Sequence, residues 1–229
     1  MSKRFNEINE SEQKNHVFDL LRGVTSRRGF LARSVTSAAV VIPAASMLVS
    51  QTAHAASHSA YPLTYAQAFC EIMKDEDTHV AFLRSALGHA ARPKPKFKNL
   101  KQNDRDTFIN LSRIFENTGV GAYLLAAPAI SSKANLAAAG SILSIEARHA
   151  GYLDAITGNP LSPNGPFDKP IPQATIVKAV SPFIVSLNGG PDPAAPLKND
   201  TDILNFALLL EYLEAEFYDI NVPKFFGSY

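Results

Sequence analysis

This chain of 229 residues has a single cysteine, Cys70. No intrachain disulfide can form, so stability has to come from a packed interior or a bound metal. Cys70 itself suits a helix interior, where a thiol packs as a small apolar group. Charge of one sign is equally scarce, with 22 Lys and Arg against 21 Asp and Glu. Lacking a basic stripe, the chain offers no electrostatic footprint for nucleic acid, and that class of partner is excluded. Beyond the first 50 residues no run is long and apolar enough to span a bilayer. No stretch reads as a β-strand either. These absences leave an all-α chain.

The N-terminus reads as an address rather than as part of a fold. Ser26-Arg27-Arg28-Gly29-Phe30-Leu31 is a twin-arginine signature, followed by an apolar run from about Val35 to Val49. Ala53-His54-Ala55 then supplies a small-x-small cleavage site. A basic leader, a short apolar region and such a site make a bacterial export signal, not a membrane span. Residues 1–55 are expected to be removed, leaving 56–229 as one domain in the periplasm or outside the cell, with no stable membrane insertion. That route carries folded proteins, often ones already holding a cofactor.

Apolar spacing predicts four long helices and one short one. The first is expected from Thr64, as N-cap, to Leu87, with Gly88 as its stop. A basic loop over 91–103, punctuated by Pro93 and Pro95, leads to a second helix over 104–126. A third runs from Ser131 or Ser132 to Ile156, stopped by Gly158-Asn159-Pro160. After a proline-rich loop over 159–172, a short helix is expected from Gln173 to about Val185. The last helix should start near Asp200 or Thr201, either of which could cap it, and end before Pro223.

Two of these helices nearly repeat each other. Glu76-Asp77-Thr78-His79-Val80-Ala81-Phe82-Leu83 and Glu146-Ala147-Arg148-His149-Ala150-Gly151-Tyr152-Leu153 share the pattern Glu-x-x-His-x-x-aromatic-Leu. Each is followed, twelve residues after its glutamate, by a glycine: Gly88 and Gly158. Glu and His three apart project from one side of a helix, a turn from each other. Two such pairs are half of the ligand set that carboxylate-bridged di-metal bundles use.

The other half lies in the remaining long helices. The last one, Ile203 to Tyr218, is apolar on nearly every side and should be buried. It nevertheless carries Glu211, Glu214 and Glu216 within a turn and a half. A buried carboxylate costs several kcal/mol unless paired, protonated or bound to a cation. Glu211 and Tyr218 are seven apart, and Glu116 and Tyr123 repeat that spacing on the second helix. Glu211 is therefore preferred as a ligand, with Glu214 as its alternative. The candidate metal ligands are Glu76, His79, Glu116, Glu146, His149 and Glu211. Four carboxylates and two imidazoles suit a di-iron or di-manganese pair. Tyr123 and Tyr218 are candidate redox or hydrogen-bonding neighbours.

A single Glu-x-x-His pair is usually a solvated helix face, and it is the repetition that lifts this one above chance. Glu216 falls on another face and reads as a rim charge. Glu71, Asp75 and Asp77 read as solvated, Arg148 as an exposed arginine. His58 and His89 have no partner at ligand spacing.

The segments Asp202 to Tyr218, Glu116 to Tyr123 and Ile145 to Ala150 together resemble the ferritin-like domain family that includes desiccation-related proteins. The resemblance covers almost all of the chain after the export signal. It implies a ferritin-like four-helix bundle with a metal pair, and no settled activity. An oxidoreductase or a role in oxidative or desiccation stress is one expectation; a metal-free, non-catalytic stress protein is the alternative. The order of helices departs from the family, in which the Leu-Glu-Tyr-Leu-Glu-Ala-Glu-Phe-Tyr helix usually comes first. That implies a circular permutation within one chain, or a helix exchanged between two chains of a homodimer.

Overall fold

The structure, a computed structural model, describes residues 64–227. The twin-arginine signature, the apolar run after it, the cleavage site and His58 lie outside the described residues.

Four long helices form the bundle: α1 (Tyr65–Leu87), α2 (Arg105–Ala126), α3 (Lys133–Ile156) and α5 (Asp200–Phe226). Between the last two lies the short α4 (Gln173–Val180). Side chains that complete the first turn set where each long helix begins. Thr64 caps α1 in a capping box, its hydroxyl accepting from the Gln67 amide while the Gln67 side chain accepts from the Thr64 amide. Asp104 caps α2 and Ser132 caps α3. The cap of α5 is Asn199 rather than Asp200 or Thr201. Asp200 instead reaches across to the start of α3, accepting from the Ser131 and Ser132 amides and from Asn135.

Helix α1 packs chiefly on α5, and α2 on α3. Both pairs are antiparallel. Phe69, near the start of α1, stacks on Phe226 at the end of α5, with ring centroids 4.9 Å apart. Arg113 early in α2 meets Asp154 late in α3 at 3.2 Å. Phe108, early in α2, also packs on Phe217, Phe225 and Phe226 of α5. Thus α1 and α2 run the same way, and residues 88–104 must travel back along the bundle to join them. Two buried asparagines of α5 hold this crossover at its ends. Asn205 accepts from the Arg92 amide at 2.7 Å and donates to the Ala90 carbonyl. Asn221 accepts from the Gln102 amide at 2.9 Å and donates to the Leu100 and Phe217 carbonyls.

Three further expectations need correction. Helix α5 passes through Pro223 to Phe226 instead of ending before it. Proline removes one ladder bond, but Phe225 and Phe226 pack on Phe108 beyond it, and burying those rings favours the extra turn. Helix α4 stops at Val180 rather than near Val185, and Ser181–Phe183 tightens into a 3₁₀ turn. Pro182 cannot donate to the helical ladder there. Next, Ile184–Ser186 (β2) pairs antiparallel with Lys96–Phe97 (β1) of the crossover, although no strand is expected from the sequence. The ladder is too short and irregular to carry an alternating pattern.

The apolar core falls into two clusters. One gathers Phe69, Phe108, Phe115, Leu153, Leu213 and Phe217; the other gathers Leu83, Ile142, Leu204 and Leu208. Cys70 is buried in the first. Helix α5 contributes to both, and from Ile203 to Ala215 every residue is buried. Glu76, Glu116, Glu146 and Glu211 each lie near the middle of their helices, so the carboxylates form a layer between the apolar halves. Among the described residues no helix is long and apolar enough to cross a membrane.

Candidate metal centre

All six candidate ligands meet in this layer, one glutamate from each long helix and both histidines. The four glutamates are at most 1% exposed, and His79 and His149 are each 7% exposed. Two groups of four can be drawn, each with ligand atoms within 4.8 Å of one another. One is Glu76, His79, Glu146 and Glu211; the other is Glu76, Glu116, Glu146 and His149. Glu76 and Glu146 belong to both groups. The arrangement would suit two adjacent cation positions sharing two carboxylates, each completed by one further glutamate and one imidazole.

The distances carry the same message. Nδ1 of His79 lies 3.2 Å from Glu76 Oε2, 3.3 Å from Glu146 Oε1 and 3.2 Å from Glu211 Oε2. A single ring N–H cannot donate to three carboxylate oxygens, whereas a lone pair among three oxygens is what a shared cation requires. Nδ1 of His149 lies 3.1 Å from Glu76 Oε1 and 3.2 Å from Glu116 Oε2. Glu146 Oε2 is buried with no donor at all, and Glu76 Oε1, Glu146 Oε1 and Glu211 Oε2 have within reach only an imidazole nitrogen shared with other carboxylates. Buried polar atoms are nearly always satisfied, and no described lysine or arginine lies within ion-pairing distance of these carboxylates. This chemistry fits two divalent cations bound by hard oxygen and imidazole donors.

The tyrosines cross-brace the layer. Tyr123 of α2 donates to Oε1 of Glu211 on α5, and Tyr218 of α5 donates to Oε1 of Glu116 on α2 at 2.5 Å. Each Glu-x6-Tyr helix thus supplies the hydroxyl that orients the other's carboxylate. Burial, reinforced by the neighbouring glutamate charges, pushes both phenols well above their usual range, so both remain donors.

The layer is electrostatically tense. Burial raises the Glu146 and Glu214 carboxyls well above the usual range, and the Glu76 and Glu116 charges add to the rise. Burial and the Glu116 charge push Glu76 up to about 7. Burial alone would depress both imidazoles. The surrounding carboxylates overcome it, Glu211 foremost for His79 and Glu116 for His149, and raise both histidines far above their usual value. Glu211 moves the other way: burial opposes it, but the facing His79 holds it below its ordinary value. A cation in each position would supply the positive charge that protons otherwise bring.

Glu214 is buried but belongs to neither ligand group. It lies beside Gly119, where an added β-carbon would be 3.6 Å from its Oε1 and 2.5 Å from Glu146 Oε2. The missing side chain of Gly119 therefore makes the space in which the Glu146 carboxylate sits. Glu216 is half-buried and paired with Lys94 at 3.0 Å, away from the layer. Arg148, Glu71, Asp77 and His89 are exposed.

Two contributors escape the sequence reading. Gly119 is one; the other is Asp75, whose position in the repeat suggests only a solvated charge. Its Oδ2 lies 3.2 Å from Nε2 of His149, on the far side of the ring from the carboxylate layer. Its one trace in the sequence is a difference between the repeats: Asp75 precedes Glu76, while Ile145 precedes Glu146.

The ferritin-like domain family matches this chain over residues 44–159 and 199–226, more than half of its length. The chain belongs to that family. The matched segments take in all four long helices, and with them all six residues of the ferritin-like layer; the unmatched stretch between them holds α4 and β2. No curated protein and no solved structure matches the chain significantly.

Proposed function

We propose that this ferritin-like protein binds a pair of iron or manganese ions and works as an exported oxidoreductase, or in defence against oxidative or desiccation stress. One observation carries the reading: four buried glutamates and two histidines converge with more carboxylate oxygens than the two imidazoles and two phenols can satisfy. Glu76 and Glu146 would be shared between the positions. Glu211 with His79, and Glu116 with His149, would complete one position each.

When bound, such a pair supplies one- or two-electron chemistry toward dioxygen or a peroxide. The chain's own contributions are separable from it. Tyr123 and Tyr218 fix the carboxylates of Glu211 and Glu116 and keep their protons next to the layer. The two apolar clusters keep bulk water from either end of it.

Export by the twin-arginine route to the periplasm accords with a metal loaded into a folded protein. The circular permutation is supported by two features. Helix α5 lies antiparallel beside α1 in its own chain, and its end stacks on the start of α1 through Phe226 and Phe69. A first helix moved to the C-terminus would take that place without exchange between chains.

The test is elemental analysis of the protein from its own periplasm and after reconstitution with iron and with manganese. About two ions per chain are expected, falling below one in a Glu146→Ala, His149→Ala double variant. Absence of metal in every preparation would overturn the reading in favour of the metal-free stress protein. In that case His79→Gln and His149→Gln would leave thermal stability unchanged.

A further inference from the structure

Around the carboxylate layer the chain comes close to a twofold relation. His79 answers to His149, Glu211 to Glu116, and Tyr123 to Tyr218. The outer edges of the imidazoles break it. Nε2 of His149 faces Oδ2 of Asp75 at 3.2 Å, whereas Nε2 of His79 has no hydrogen-bond partner among the described residues. The origin of the break is in the repeat itself. Asp75 stands one residue before Glu76 on α1 and reaches the histidine of α3. The equivalent position on α3 is Ile145, whose side chain has no acceptor to offer the histidine of α1.

A carboxylate on the far nitrogen of a ligating imidazole fixes the tautomer, locks the ring and raises its basicity. Here it would hold the proton on Nε2 when a cation takes the Nδ1 lone pair beside Glu76 and Glu116. His79 has no such constraint. A cavity of about 220 Å³ between α1 and α3 is lined by Ile72, Asp75, Ile145, Arg148, His149 and Tyr152, so the Asp75–His149 pair is reached from outside.

We propose that the two metal positions are unequal, that the His149 position fills first and more tightly, and that Asp75 is the positioning residue responsible. This inference rests on the di-metal reading above, and its test separates the two. Cobalt(II) is titrated into the metal-free protein, followed by calorimetry and by its visible ligand-field bands. Wild type should show two resolved steps, the first lost in His149→Gln and the second in His79→Gln. Asp75→Ala should weaken the first step by roughly 10- to 100-fold, shift its bands and leave the second step in place. Asp75→Asn, which keeps the shape and an acceptor without the charge, should restore part of the loss. Ile145→Asp should tighten the second step by giving His79 the partner it lacks.

Two equal steps in wild type, or an Asp75→Ala variant that weakens both steps alike or neither, would overturn the inequality while leaving the di-metal reading intact. No cobalt bound by wild type would remove both.

Discussion

At the scale of the residue, the carboxylate layer depends on an absence as much as on its glutamates and histidines. Gly119 sits mid-helix, where alanine would ordinarily stabilise by up to about 1 kcal/mol. An alanine β-carbon there would stand 2.5 Å from Glu146 Oε2. The atom in the way is the far end of a flexible side chain, so the helix can keep its form while the carboxylate swings aside. Gly119→Ala should therefore leave the metal-free protein at least as stable as wild type, yet lower metal affinity by roughly tenfold or more. Thermal melts beside a metal titration would check both halves, and a fall in stability with unchanged affinity would refute the account. Tyr123→Phe is predicted to act on the stability of the fold instead. It removes the donor to Glu211 and should cost about 1–3 kcal/mol in the metal-free fold, because a buried carboxylate oxygen loses its partner. Denaturant unfolding with and without metal would measure that cost.

At the scale of the element, α5 serves as the axis of the bundle and the rail for the crossover. Asn205 and Asn221 hydrogen-bond to backbone groups of residues 88–104. Truncating Asn221 takes the partner from the Gln102 amide, while the Leu100 carbonyl keeps Gln102 Nε2. Asn221→Ala should thus destabilise the protein by about 1–3 kcal/mol, and Asn221→Asp, which sets a buried carboxylate against the Leu100 and Phe217 carbonyls, by more. Urea denaturation gives the comparison, and equal losses in the two variants would argue against the hydrogen-bond account. These contacts also mark where sequence reading runs out. Helix positions and the Thr64 cap follow from spacing and from side-chain chemistry next to the helix start, because both signals are local. The persistence of α5 through Pro223, the early end of α4 and the β1–β2 pairing do not, because each is decided by a contact with a distant segment. Asp200 shows the same limit: a residue fit to cap its own helix is drawn instead to the start of α3.

At the scale of the whole molecule, the layer links metal, protons and stability. Glu76 is raised to about 7 in the fold from an unfolded value near 4.5. Such a group contributes stability at low pH that is lost as pH rises through the folded value, because the native state holds the proton more tightly. The raised histidines have the same sign, and their share is lost only at higher pH. Glu211, lowered by His79, has the opposite sign and loses its share as pH falls. The metal-free protein should therefore lose stability between about pH 5 and 8. Ligand carboxylates must shed their protons to bind, so metal should bind more tightly over the same range. The gap in melting temperature between metal-loaded and metal-free protein is expected to widen as pH rises. Melts in manganese and in chelator at each pH would check this, and a gap constant with pH would count against proton–metal competition.

The sequence by itself determined the helices, their buried glutamates and the paired Glu-x-x-His and Glu-x6-Tyr spacings, because helical periodicity and the cost of burying charge act along one segment. It thereby named the six residues that now lie together. Only the tertiary structure decided how they share the layer, with Glu76 and Glu146 in both ligand groups, Glu211 rather than Glu214 facing His79, and each tyrosine bracing the other helix's carboxylate. It also decided that Gly119 makes room and that Asp75 backs one histidine and not the other. Those are relations across helices, set by which faces pack together, and no spacing within one helix contains them.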